Sequence, residues 1–462
     1  MSIIIIIPGF IAFYYAFMKS PHQAFVKVYV PILLFIPTYY TWEVPALPDP
    51  NAQQVAILAI LGVWFLRGTP GWKFSFTDLL VFGFALTLIY SEYSNVGYKE
   101  SQNFIASTIG AVIAPYVLAK ALIEPAGLRQ QFAKSIVIVL AIVTIFALFQ
   151  TVTKSNYTLW QKVLGHFFGG QGWEWPTQYR WGLPRAAGPF GHAILAGIVM
   201  VVGYRIQRWL QWSKAWPQRP AQLQWLPIPL PTLLTITLFI GSLITLVRGP
   251  LSGAIVAAII LLIGKTKKRW TIFWTLVVLF VIVGIPAISW FINYASVDPA
   301  LARNENQQTV AYRWQLIENY VDIANKRFLW GWGRMTWPKV PSQPSIDNYY
   351  LLIFLQHGMM GLGLLLALLL SMMTRLFAHA MLQPVAQPLG SSLGFTLFSI
   401  YIVIAWSIAT VWLGEQTIYL LFLLLGWSEG YLLFYNQNLQ KGTSGLVAAA
   451  PEPKFRFRRI LS

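Results

Sequence analysis

The sequence predicts an all-α, polytopic integral membrane protein of about 12–13 transmembrane helices with one large external loop. Three observations predict it. Apolar residues make up 56% of the chain and charged residues only 10%; mean hydropathy is +0.58; and apolar runs of bilayer-crossing length recur along it. The absence of cysteine removes disulfides and thiolate metal sites. A formal charge of +18 would point a soluble protein toward nucleic acid, but in this chain its distribution reads as membrane topology, and no nucleic-acid partner is expected.

In chain order the spans fall at 2–18, 26–42, 53–67, 76–92, 103–121, 135–153, 189–205, 230–247, 249–264, 270–292, 358–374, 390–412 and 417–435. The first begins almost at Met1 without a positively charged leader, so it is expected to insert and remain. Taking alternate connections as cytoplasmic collects 21 of the 33 Lys and Arg on one side. These connections are short, the situation in which the positive-inside rule orients a chain, so the amino terminus is expected outside and the carboxyl terminus inside.

The other twelve cations are Lys99, Lys154, Lys162, Arg180, Arg185, Arg248, Arg303, Arg313, Lys326, Arg327, Arg334 and Lys339. All but Lys99 lie at or after Lys154, which divides the chain. Residues 1–153 read as a transmembrane scaffold and 154–188 as an external loop. Residues 189–292 are central helices with a junction at Arg248, and 293–357 are a large external loop. Residues 358–437 are carboxyl-terminal helices and 438–462 a basic cytoplasmic tail, disordered or membrane-apposed. Residues 212–232, with five prolines, read as a cytoplasmic linker.

Three constellations carry polar chemistry. Arg248 stands in Thr245-Leu246-Val247-Arg248-Gly249-Pro250, where Gly-Pro starts a new helix. An arginine there can grip a diphosphate through its planar fork; the plainer reading is an interfacial snorkelling residue. Arg185-Ala-Ala-Gly188-Pro-Phe-Gly-His192 ends a loop and starts a helix whose free N–H groups favour an anion, with His192 read as structural. In the large loop, 311–328 is amphipathic and expected to lie along the membrane surface. Trp330-Gly331-Trp332-Gly333 then breaks it, and Asp347-Asn348 caps a helix carrying Tyr349, Tyr350 and Gln356. Asp347 is read as either that cap or a group that orients or deprotonates a sugar hydroxyl. Trp160, Trp173, Trp175, Trp181, Trp330, Trp332 and Trp337 fall in external segments, where sugar stacking and interfacial anchoring both use tryptophan.

Arg185…Gly188-Pro-Phe, Arg248-Gly249, Tyr312-Arg313-Trp314, Gly331-Trp-Gly333, Asp347-Asn348-Tyr349-Tyr350 and His357-Gly358-Met-Met-Gly361, in this order and spacing, resemble the O-antigen ligase and polymerase family over roughly 180–375. The resemblance implies a GT-C-like glycosyltransferase of the bacterial inner membrane with a periplasmic site. It would move a glycan from undecaprenyl diphosphate to a sugar hydroxyl, on lipid A–core in ligases or on a growing chain in polymerases. By the same resemblance Arg248, Arg313 and Asp347 are the catalytic candidates. Arg185, Arg248, Trp332, Asn348, Tyr349 and His357 are the substrate-binding ones. Asp347 stands where many ligases carry histidine, so the histidine role falls to Asp347, to His357 one helical face over, or is absent. No cofactor and no metal are expected, because arginines can neutralise the departing diphosphate and the external loops lack a multi-carboxylate cluster. The rival class is an anion or lipid-intermediate transporter, which needs polar residues at the bilayer midplane; Asp78, Glu415 and Glu429 instead lie near span ends or late in the chain.

Overall fold

The structure, a computed structural model, describes residues 2–447 except 44, 46, 169–170, 173–175, 220–226, 265, 384–391 and 415. Trp173, Trp175, Lys265, Glu415 and the tail beyond Val447 therefore lie outside the described residues. The described chain is helical apart from loops and one two-stranded hairpin.

In order the elements are α1 (Ile6–Met18), α2 (21–35), α3 (Ala52–Leu66), α4 (Phe76–Leu122), α5 (Arg129–Val152) and α6 (Leu159–Leu164). The hairpin β1 (Tyr179–Arg180) and β2 (Leu183–Pro184) follows. Next come α7 (Ala193–Trp212), α8 (Leu230–Ile244), α9 (Arg248–Gly264), α10 (Arg269–Ala295), α11 (Glu305–Asn325), α12 (Tyr349–Leu382), α13 (Leu393–Ile408) and α14 (Gln416–Val447). Among the described residues six helices are long and apolar enough to cross a membrane, and five shorter apolar ones accompany them. This is a multi-pass, all-α membrane protein. The sequence spans map onto these helices with shifted ends: Pro189–His192 is not helical, so α7 starts at Ala193, and α14 runs on into the expected tail, to Val447.

Helix starts follow local chemistry. Asn51 with Gln54, Ser75 with Asp78 and Thr158 with Gln161 form capping boxes, each satisfying backbone donors that a helix leaves unpaired. The two spans expected at 76–92 and 103–121 both lie within α4, which is broken by a kink at Gly97, whose φ of 78° and ψ of 177° only glycine adopts freely. α12 bends in the same way at Gly358, with φ 66° and ψ −168°.

The main core joins α4, α5, α7, α12, α13 and α14 around fully buried Tyr116, Phe132, Tyr401 and Trp427. α10 stands apart from it. Of its residues only Arg269 and Ala295, at its two ends, are buried. Arg269 Nη1 donates to the carbonyls of Ala380, Met381 and Gln383, tethering one end to the last turn of α12.

α11 forms where the amphipathic pattern of 311–328 predicts a helix. Its apolar face, Leu316, Tyr320 and Ala324, packs on Ile346, Leu351, Phe354 and Leu355 at the start of α12. An amphipathic stripe fits a neighbouring helix as well as lipid, and here a second apolar face was within reach. The amino-terminal helices also reach the large loop. Ser91 Oγ donates to the Gln356 carbonyl at 2.8 Å, and Glu92 accepts the Arg334 N–H at 2.7 Å, so α4 holds the large loop directly.

Candidate functional site

Two loops and a helix junction converge at the end of the bundle that carries the 293–348 insert. α8 stops at Ile244, Leu246 turns into the left-handed region at φ 52°, and α9 begins at Arg248. Gly249 and Pro250 let this junction sit close to its neighbours: a Cβ on Gly249 would meet Thr410 Oγ1 at 3.1 Å, and one on Gly197 would meet Pro250 at 3.2 Å. Arg248 is exposed, and its Nη1 donates to Asn306 Oδ1 at 3.2 Å in the first turn of α11.

The hairpin delivers two more arginines to the same place. The Arg180 guanidinium donates to the Leu246 carbonyl at 2.5 Å. The Arg185 side chain donates to Gln178 Oε1, while its Nε is buried and has no hydrogen-bond partner. Arg185 and His192 line a crevice of about 30 Å³ together with Tyr39, Thr158, Gln161 and Gln178, enough for a water or a single ligand oxygen or two.

Electrostatics tie the cluster together. Burial, and then Arg248, lower the pKa of Arg180; burial, and then Arg180, bring Arg185 down to about 10, so both stay charged at neutral pH. His192 falls to about 4 through burial and Arg185, opposed by the carboxylate of Asp347. It is therefore neutral, and its Nδ1 caps α7 by accepting the Ile194 N–H at 3.2 Å. The Tyr312 hydroxyl is pushed up by burial and by Asp347. Charge influence thus runs pairwise from Arg248 to Arg180, from Arg180 to Arg185, from Arg185 and Asp347 to His192, and from Asp347 to Tyr312. None of these arginines makes an ion pair with a carboxylate among the described residues.

Asn348, not Asp347, caps α12: its Oδ1 accepts the Leu351 N–H at 3.1 Å. The Asp347 carboxylate accepts from Ser345 Oγ at 3.3 Å. Arg313 is half-buried on α11, one residue after Tyr312.

The remaining candidates occupy packing positions. Trp332 donates its indole N–H to the Ile323 carbonyl at 2.9 Å and lies under Arg327, whose guanidinium is 4.3 Å from its ring centroid. Tyr349 is 6% exposed and belongs to the main core. His357, 2% exposed, stacks on Phe104 with ring centroids 5.9 Å apart. The structure does not bring these three rings to the arginine cluster.

Trp330–Gly333 lies against the bend of α12. The N–H groups of Trp332 and Gly333 donate to the carbonyls of Leu355 and Gln356 at 3.0 and 2.8 Å, and Met359 N–H returns to Phe328 at 2.7 Å. The loop so satisfies the backbone groups that the bend frees, a requirement inside or beside a membrane.

Sequence reasoning placed Arg180 outside but gave it no role, and it passed over Asn306 and Ser91–Asn95. The one available signal was Trp181-Gly182, whose positive φ angles of 54° and 72° close a two-residue hairpin turn. Against known families, the model of the O-antigen ligase family matches residues 233–366, from α8 into the first half of α12. No curated protein matches the chain.

Proposed function

We propose that this chain, whose residues 233–366 match the O-antigen ligase family, is a glycosyltransferase. It transfers a glycan from undecaprenyl diphosphate to a sugar hydroxyl at the periplasmic face of a bacterial inner membrane. The observation that carries this reading is the convergence of Arg180, Arg185 and Arg248 without a carboxylate counter-ion among the described residues. Crowded, partly desolvated cations of this kind favour a multiply charged anion, and a diphosphate offers oxygens to the forks of Arg185 and Arg248.

In the reaction the acceptor hydroxyl oxygen attacks the anomeric carbon as the bond from that carbon to the diphosphate oxygen breaks. Charge develops on the leaving diphosphate, where Arg248 and Arg185 stabilise it. Asp347, not used as the helix cap and coupled to His192 and Tyr312, takes the hydroxyl proton. Arg313, next to Tyr312, supplies a further positive charge toward the donor. Arginine supplies the neutralisation that a divalent cation provides in other phosphate chemistry, so transfer is expected to proceed in EDTA.

The test is transfer from purified undecaprenyl-diphosphate donor in EDTA, with lipid A–core supplied or withheld and Arg248→Ala as the blank. Product that requires lipid A–core identifies a ligase; longer lipid-linked chains without it identify a polymerase. Arg248→Lys is expected to restore only part of the activity, because lysine lacks the planar fork. Full transfer by Arg248→Ala, or an intact donor with anion flux across liposomes, would overturn the reading.

A further inference from the structure

The hairpin touches the α8–α9 junction at two points. The Arg180 guanidinium donates to the Leu246 carbonyl at 2.5 Å, and the Ala186 N–H donates to the Ile244 carbonyl at 3.2 Å. Both acceptors belong to the last turn of α8 and its exit, the carbonyls a helix leaves without internal partners. Leu246 holds φ at 52°, a conformation that a side chain with a Cβ disfavours and that persists only when its surroundings fix it. Its own N–H is engaged with the Leu243 carbonyl at 2.9 Å. The turn is therefore gripped on its carbonyl side by the hairpin, and Arg248 follows two residues later as the first residue of α9.

We infer that Arg180 is a positioning residue for glycan transfer: by holding the Leu246 carbonyl it fixes the left-handed turn between α8 and α9 and so aims the Arg248 guanidinium. This rests on the reading in which Arg248 receives the donor diphosphate. A tilt at the turn displaces the start of α9 and the fork with it, and such displacements of about 1 Å cost on the order of 100-fold in rate. Arg180 is itself held in a short antiparallel pair, Tyr179 with Pro184 and Arg180 with Leu183.

The experiment combines two measurements on the full chain in detergent: amide hydrogen exchange over residues 244–252, and steady-state transfer with the lipid-linked donor. Arg180→Met removes the donor and the charge but keeps an unbranched apolar stem. It is expected to speed exchange over 244–252 selectively and to lower kcat by about 10- to 100-fold, with donor KM raised by less than about three-fold. Arg180→Lys, which can still donate to the carbonyl, is expected to retain most of the activity. The deciding variant is Arg180→Met combined with Leu246→Gly, because glycine takes the left-handed conformation without support; it is expected to recover part of the lost kcat although the charge is still missing. A fall in kcat with unchanged exchange, or no recovery in the double variant, overturns positioning in favour of a purely electrostatic role. Faster exchange in Arg180→Met, in a protein whose wild type transfers no glycan, sinks the transfer reading while leaving the clamp on the turn intact.

Discussion

Asp347 and Asn348 divide two tasks that their position before α12 offers to either. The Asn348 side chain accepts the Leu351 N–H, and the Asp347 carboxylate accepts from the Ser345 hydroxyl. Removing the cap should therefore show in stability: Asn348→Ala is expected to lower unfolding free energy by about 0.5–2 kcal/mol, read from denaturant titration in detergent. Asp347→Ala is expected to leave stability within about 0.5 kcal/mol and to lower transfer by about 10²–10⁴-fold, the range of a lost general base. The opposite pattern, an unstable Asp347→Ala with normal turnover per folded molecule, would make Asp347 structural. Sequence made this pair visible but left its division of labour open, because either side chain caps a helix. Arg248 was legible for a different reason: Arg-Gly-Pro between two apolar runs marks a helix start that carries a fork. Arg180 was not, since its partner is a backbone carbonyl 66 positions away, and carbonyls have no sequence signature.

The elements were legible wherever apolar runs announced them, and their contacts were not. α4 and α12 illustrate the difference. Both bend at a glycine in nearly the same backbone conformation, Gly97 and Gly358. Their surroundings differ: a Cβ on Gly97 would meet nothing within 4 Å, whereas one on Gly358 would come within 2.3 Å of the Leu329 carbonyl oxygen and 2.5 Å of the Trp330 nitrogen. Gly331 approaches from the other side, where its own Cβ would lie 2.4 Å from the Gln356 oxygen. The pair of glycines thus lets two backbones touch and exchange the hydrogen bonds that replace those lost at the bend. Gly97→Ala should cost only the backbone term, about 1–3 kcal/mol, while Gly358→Ala adds displacement of the Trp330–Gly333 loop. Side-by-side unfolding of the two variants, with tryptophan fluorescence as the probe of the loop, tests this. Equal losses would mean that the loop tolerates separation from α12, and that the backbone pairing contributes little to holding the insert over the bundle.

Across the whole molecule, charge is sorted between the two ends of the bundle. Away from the insert, three carboxylates each have a basic partner: Asp78 with Lys120 at 2.6 Å, Glu124 with Arg129 at 2.6 Å and Glu429 with Arg375 at 2.7 Å. At the insert end the arginines of the cluster have none among the described residues. The paired end is where polar groups near the apolar core are neutralised, which fits anchoring more closely than an ion path. Its tightest member is Lys120 and Asp78, both essentially inaccessible, with Lys120 also donating to Ser75 at 2.9 Å and lying 4.5 Å from the centroid of the Trp72 ring. Such a pair adds little net stability, because desolvating both charges offsets their attraction, but breaking it leaves one charge buried alone. Asp78→Ala is therefore expected to destabilise the bundle by about 3–5 kcal/mol, and Asp78→Ala with Lys120→Met to recover most of that loss. Arg248 lies at the other end, so transfer per folded molecule should be unchanged in the double variant. Unfolding of the two variants in the same detergent separates the causes. A double variant as weak as the single would show that the hydrogen bonds of Asp78 to Tyr116 and to the Ser75 N–H, rather than relief of an orphaned lysine, hold the two halves of α4 together.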